Sequence, residues 1–290
     1  MIGFGRRPHT LSYSPAVYDP RPIGVFDSGV GGLTVLRELR RQLPDERLIY
    51  LADLARFPYG TRDIDDVRGR ALDVIEHLAG WDVKLVVIAC NSATAAALNA
   101  ARERFDIPIV GVIAPGAQAA AEITRSGRVA VLSTQATLNS QEYVHAIKEA
   151  NPSITVLGRA APELVDIVEE GDADSARADT ALADVLSDVF VWGADTLVLG
   201  CTHYPLLSTA LRRTIGSRRM NIVDSAATTA ARVGRILMSN RLGAAGGSAV
   251  PELVVTAAPR RFQETARRLF GEDLEEPRLV LITSRTTIAL

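Results

Sequence analysis

Cysteine is scarce: the 290 residues include only two, Cys90 and Cys201. Two thiols exclude a small secreted scaffold held together by disulfides. With four scattered histidines they also cannot build a four-ligand structural zinc site. An excess of charge is lacking too. The formal net charge of -2 excludes a general nucleic-acid binder, which needs a basic surface to neutralise phosphates. No apolar run approaches the ~20 residues that cross a bilayer, so no membrane partner is expected. Met1 to Pro22 carries Arg6, Arg7 and four prolines without an apolar core, and reads as neither signal peptide nor anchor. The expectation is a cytoplasmic protein with reduced thiols. Lysine occurs only as Lys84 and Lys148, neither in a motif, so no pyridoxal lysine is in view. Nucleotide fingerprints and metal clusters are likewise missing, and the expected cofactor and metal content is none.

What is present is ordinary globular composition, 47% hydrophobic and 23% charged, in a length that suits two domains. After a proline-rich stretch over residues 1–21, read as a flexible extension, short apolar runs alternate with amphipathic ones. Ile23–Phe26, Leu48–Ala52, Leu85–Ala89, Ile109–Val112, Val129–Leu132, Ile154–Leu157, Thr196–Leu199, Asn221–Val223 and Leu253–Thr256 read as strands. Ile64–Leu78 and Ser175–Val191 read as helices between them. Strictly alternating apolar strands and helices predict an α/β fold with parallel sheets covered on both faces. The stretch Leu242–Val250 is rich in glycine and alanine and reads as a flexible loop.

An internal repeat sharpens this. Trp81 precedes Cys90, and Trp192 precedes Cys201, by nine residues, an offset of 111 that Asp63 and Asp174 share. Each Asp is expected to open the helix before its strand. Ile23–Ser28 pairs with Val129–Thr134 at an offset of 106. The expected architecture is two similar parallel-sheet α/β domains related by pseudo-two-fold symmetry, with the active site in the cleft between them. Residues 22–114 plus 225–290 form the first domain and residues 115–224 the second.

Each cysteine ends an apolar strand and precedes small polar residues and a helix. Carboxyl ends of strands are where open α/β sheets bind ligands. Helix starts offer free N–H groups and a positive dipole end, which should lower a thiol pKa. A lone cysteine in such a place is usually an inert core residue. Two of them, equivalently placed, admit three chemistries. A redox pair lacks Cys-x-x-Cys spacing. A cysteine hydrolase needs one thiol and a histidine base. Two thiols across a cleft suit proton removal from one face of a carbon and delivery to the other, which inverts a stereocentre. Ser28, Ser92 and Thr202 hydroxyls and the helix-start N–H groups are candidates to stabilise the carbanion. Asp27 suits either a turn cap or the orientation of an ammonium or thiol. The Ser28–Gly32 loop reads as close backbone approach to a small carboxylate. His203, the one histidine within a motif, suits charge support or proton relay beside Cys201. His9, His77 and His145 read as surface residues.

The segments Gly24–Leu33, Arg56–Thr61, Ile88–Thr94 and Leu199–Leu207 resemble, in order, the signatures of bacterial glutamate racemases. The likeness runs from about residue 22 to about residue 240. It implies a cofactor-independent amino-acid racemase interconverting L- and D-glutamate for peptidoglycan, acting as a homodimer. By motif it implies Cys90 and Cys201 as the two proton donors and acceptors, with Cys90 serving D-glutamate and Cys201 L-glutamate. Asp27, His203 and Glu169 would assist. Asp27, Ser28, Tyr59, Gly60, Asn91, Ser92, Thr202 and His203 would contact substrate. Ser92 stands where threonine is more usual, Ala161 where cysteine is common, and Asp166-Ile167 where Pro-Leu is frequent. An aspartate or hydantoin racemase, or a related decarboxylase, shares the two-domain plan. An idle binding protein of this fold, for instance one acting on a topoisomerase, is the reading outside enzymes, and both cysteines with every motif hydroxyl argue against it.

Overall fold

The computed structural model describes residues 19–244, 250–271 and 274–283. Most of the proline-rich extension, His9 and the centre of the Gly/Ala-rich stretch lie outside the described residues. The first half runs β1 (Ile23–Asp27), α1 (Leu33–Gln42), β2 (Leu48–Ala52), α2 (Ile64–Ala79), β3 (Leu85–Ile88), α3 (Asn91–Arg104), β4 (Ile109–Gly111) and α4 (Ile113–Ile123). The second runs β5 (Arg128–Ser133), α5 (Gln135–Ser140), α6 (Glu142–Ala150), β6 (Thr155–Ala160), α7 (Glu163–Glu170), α8 (Ala176–Trp192), β7 (Thr196–Gly200), α9 (Ser208–Ile215) and β8 (Asn221–Asp224). The chain then returns through α10 (Ser225–Ser239) to β9 (Glu252–Val255), α11 (Pro259–Phe270) and a short β10 (Arg278–Leu279).

Every strand pair is parallel, in two sheets ordered β10-β9-β2-β1-β3-β4 and β6-β5-β7-β8. The run β2-β1-β3-β4 repeats as β6-β5-β7-β8, and so does the register: Ile23 pairs with Leu85, and Val129 with Thr196. These are the residues that the two sequence offsets equate, so the repeat is structural. The α/β class and the pair of parallel sheets agree with the alternation of apolar and amphipathic runs. A tenth strand, β10, lies beyond the strands read from the sequence, where it opens the apolar run 279–282; both its residues are exposed at the sheet edge.

Strand alternation places the thiols. Val86, Ile88 and Cys90 share one face of the first sheet, while Leu85, Val87 and Ala89 face the other. Leu197, Leu199 and Cys201 likewise share one face of the second, with Val198 opposite. Residues two apart on a strand point the same way, so both thiols continue a buried apolar row into the following loop. Burying each Leu or Ile of such a row contributes roughly 1.5–3 kcal/mol, which anchors the strand ends.

Helix starts are capped as the composition suggests. Asp63 accepts the Asp65 N–H at 2.8 Å at the start of α2. In the second domain, however, Ser175 caps α8 by accepting from Ala178, and Asp174 instead pairs with Arg213. The shared offset of Asp63 and Asp174 therefore does not mark equivalent caps. His145 is exposed as expected, whereas His77 is half-buried, its ring 4.6 Å from that of Trp81.

Candidate active site

Cys90 sits in extended conformation as the N-cap of α3, and its Sγ accepts the Ala93 N–H at 3.5 Å. Its thiol points to Ser28 Oγ at 3.9 Å. Cys201 follows β7 directly, but a 3-10 turn over Tyr204–Leu207 separates it from α9. No α-helix start therefore backs this thiol. Its neighbour is His203, whose Nδ1 stands 3.8 Å from Cys201 Sγ and whose Nε2 donates to Glu169 Oε1 at 2.9 Å. Both thiols open on one cavity of about 70 Å³ between the sheets. Ser28, Tyr59, Gly60, Asn91, Ser92, Thr202 and His203 line it, as do Phe57, Pro58, Thr134, Pro162 and Val165.

The expected lowering of the thiol pKa at a helix start does not hold for Cys90. Burial, with the nearby Asp27 charge adding, pushes this thiol up to about 12. Loss of solvation outweighs the single Ala93 N–H and the dipole end. Cys90 is therefore a protonated thiol, set to donate. His203 is 3% exposed, and burial pulls its pKa down. Its hydrogen bonds to Cys201 and Glu169 overcome this and raise it to about 10, so an imidazolium stands beside Cys201. The two thiols thus differ in surroundings although their strands share a register.

Asp27 is completely buried; its Oδ2 accepts the Gly29 N–H at 3.0 Å and its Oδ1 accepts the Thr202 hydroxyl at 3.3 Å. Burial pushes its pKa up, against the His203 charge. The turn-cap and the site readings of Asp27 are both satisfied by one carboxylate. The glycine loop, in contrast, approaches protein side chains. A Cβ on Gly31 would fall 2.4 Å from Thr202 Oγ1 and 2.7 Å from His203 Nδ1. One on Gly32 would fall 2.5 Å from the Asp27 Cβ. Gly31 lets the loop meet the second domain, Gly32 lets it fold against β1 and β2 of its own, and Ser28 is the loop residue that lines the cavity.

Tyr59 also differs from expectation. It borders the cavity, but its hydroxyl donates to Asp53 Oδ2 at 2.6 Å, which leaves its backbone to meet a ligand. Gly60 must lack a side chain: a Cβ there would stand 2.7 Å from Thr134 Cβ. Thr134 was legible only through the repeat, as the counterpart of Ser28. Its Oγ1 lies 2.9 Å from Ser92 Oγ, one of several hydrogen bonds across the cleft. Tyr143 donates to Asn91 Oδ1, and Arg268 on α11 donates to the Glu169 carbonyl at 2.5 Å. Neither Tyr143 nor Arg268 falls in a motif, and no sequence signal singles them out.

A pH prediction follows from His203. Its folded-state pKa lies above the usual 6.5, so the folded protein holds more protons than the unfolded chain between about 6.5 and about 10. The stabilising contribution is complete below 6.5 and is lost as pH rises through about 10. Urea unfolding of the protein and of His203→Gln is expected to show a stability gap that shrinks from pH 6.5 to pH 10. A gap that widens over that range would rule out the charged pair.

Among the described residues no helix is long and apolar enough to cross a membrane, and no group of three His, Cys, Asp or Glu residues could hold a metal ion. Residues 23–233 match the Asp/Glu/hydantoin racemase family. A glutamate racemase of Geobacter metallireducens is 48% identical over 222 residues, covering 77% of this chain and 82% of that protein. The crystal structure of a glutamate racemase isoform from Bacillus anthracis superposes with a TM-score of 0.86 at 35% identity, covering 92% of this chain and 98% of that one. A glutamate racemase from Francisella tularensis in complex with D-glutamate superposes with a TM-score of 0.85 at 30% identity, covering 92% and 99%.

Proposed function

Because the chain belongs to the Asp/Glu/hydantoin racemase family, within its glutamate racemases, it is an amino-acid racemase, and we propose that it interconverts L- and D-glutamate by two-thiol proton transfer without a cofactor. The observation that carries this reading is the opening of Cys90 and Cys201, one from each sheet, on a single cavity. In this reading Cys201, beside the His203 imidazolium, acts first as the base and the protonated Cys90 as the acid. Cys201 takes the Cα proton of L-glutamate, and Cys90 delivers its own to the opposite face. The reverse reaction starts from the opposite distribution of protons. Negative charge developing on the substrate carboxylate meets the Asn91 amide, the Ser28, Ser92 and Thr202 hydroxyls, and N–H groups at the start of α3. Glu169 keeps His203 charged and oriented, and Asp27 holds Thr202 and the loop at Gly29 in place. By the same resemblance the product supplies peptidoglycan synthesis in the cytoplasm, and the active form is a homodimer.

Circular dichroism of L-glutamate with protein dialysed against chelator tests the substrate and the cofactor together. Ellipticity is expected to decay to zero, while L-aspartate stays unchanged. Run in heavy water, early D-glutamate should carry deuterium at Cα and recovered L-glutamate almost none, because the proton removed is not the proton returned. Original hydrogen retained in the product would mean that one base serves both faces. Activity lost on chelation and restored by one metal would overturn the cofactor-free reading.

A further inference from the structure

We infer that Tyr143 is a positioning residue for the substrate carboxylate: its phenol orients the Asn91 amide across the cleft so that Nδ2–H faces the cavity as a donor. This rests on the racemase reading above. Asn91 is the first residue of α3, beside Cys90, and is 3% exposed where it lines the cavity. A side-chain amide has two ends of nearly equal shape, a donor and an acceptor. If Oδ1 faced a bound carboxylate, two acceptors would oppose each other. Something must therefore fix the polarity of the amide.

The Tyr143 hydroxyl donates to Asn91 Oδ1 at 2.8 Å, from α6 in the other domain. Tyr143 is 3% exposed, and burial keeps its phenol protonated. A hydroxyl can also accept, which would permit the flipped amide. Ser225, at the start of α10, stands on the other side of the phenol, both bordering Gly116, and a serine hydroxyl has a proton to offer the phenol oxygen. The acceptor that the tyrosine proton meets is Asn91 Oδ1, and that bond sets the polarity of the amide. Space for the group is made by glycine at two points. A Cβ on Gly116 would stand 3.0 Å from Ser225 Cβ and 3.7 Å from the Tyr143 hydroxyl. One on Gly200 would stand 3.0 Å from Tyr143 Cε2. Gly200 precedes Cys201, so the ring lies behind both thiol-bearing segments and joins them.

Tyr143→Phe keeps the ring and removes the proton donor. A buried hydrogen bond of this kind is worth about a 5- to 10-fold change in affinity. KM for L- and D-glutamate is expected to rise by that factor with kcat changed less than about 2-fold. Ser225→Ala should raise KM in the same direction. In an Asn91→Ala background, Tyr143→Phe should weaken glutamate binding no further by calorimetry, because the two act through one contact. Full additivity there, or an unchanged KM with only a lowered Tm, would show that Tyr143 merely packs. A wild-type protein that neither binds nor racemises glutamate would instead sink the racemase reading, and this inference with it.

Discussion

Cys90→Ala and Cys201→Ala are each expected to lower racemisation in both directions by ~10²–10⁴-fold. The equality of the two directions is a matter of thermodynamics. Enantiomers have equal free energy, so kcat/KM for L- and D-glutamate must fall together whichever thiol is lost. The division of labour appears in exchange instead. With Cys90 gone, Cys201 can still remove and return the proton of L-glutamate, so L-glutamate in heavy water should gain deuterium and D-glutamate should not. Cys201→Ala should show the reverse. The geometric reason is that each sulfur is fixed at the end of its own buried strand, in its own domain. Cys90→Ser adds a control, because it keeps a side chain able to accept the Ala93 N–H and leaves α3 capped. Proton NMR of the Cα position reads both quantities. Near-normal turnover by Cys201→Ala would reduce the site to one reactive thiol and revive a hydrolase reading. Equal labelling of both enantiomers by Cys90→Ser would show that the faces are not divided.

Arg70→Met is expected to cost about 3–5 kcal/mol of stability at neutral pH, a large part of the 5–15 kcal/mol that typically holds a domain. Arg70 grips Asp53 with two parallel bonds of 2.7 and 2.6 Å, and the two side chains are 7% and 0% exposed. Tyr59 and Thr256 complete the carboxylate at 2.6 and 2.7 Å, and Arg70 also donates to the Ile282 carbonyl at 2.9 Å. Burial pushes the Asp53 pKa up, but Arg70, Tyr59 and Thr256 outweigh it and hold it below the usual carboxylate value of 3.8. The stability Asp53 contributes is therefore present above pH 3.8 and is lost as pH falls through its lower folded-state value. Removing Arg70 leaves a buried charge with two neutral partners, and its proton affinity rises. The deficit of Arg70→Met should be largest at pH 7.5 and should shrink on acidification toward pH 5. Tm should fall by on the order of 10 °C. Adding Asp53→Asn should recover part of the loss, since it removes the unpaired charge. Because the same carboxylate holds Tyr59, the segment that lines the cavity beside Gly60 should loosen and KM should rise. Chemical denaturation curves within about 1 kcal/mol of wild type would show that Asp53 is solvated after all.

Most residues at or beside the cavity were readable because they cluster in four short segments. Asp27, Ser28, Asn91, Ser92, Thr202 and His203 sit within two residues of a strand end or a cysteine, where the chain must turn and expose small polar groups. Even the weak local match at Glu169 gained a definite place, on His203 Nε2. What the motifs could not carry was direction. Tyr59 lies inside a segment that faces the cavity, yet its ring turns toward Asp53, because a buried carboxylate with one cation still needs further donors. The glycines of the Ser28–Gly32 loop read as room for substrate, but protein side chains occupy that room: Phe57 at Gly29, Thr202 and His203 of the opposing domain at Gly31, and Asp27 and Tyr50 at Gly32. Thr134, Tyr143, Ser225 and Arg268 belong to different elements and meet the site only after folding.

The alternation of apolar strands and amphipathic helices, and the offsets of 106 and 111 residues, already determined two like parallel sheets and the placing of one thiol at the end of a central strand in each. Strand period and burial act through neighbours along the chain, so a sequence can state them. The charges that surround each thiol were decided by tertiary structure. Cys90 caps α3 and is enclosed with the Asp27 charge, whereas Cys201 precedes a 3-10 turn and faces an imidazolium that Glu169 sustains from another helix. Solvation loss and charge pairing depend on distances between residues far apart in the chain, and those distances exist only once the two domains have closed on each other.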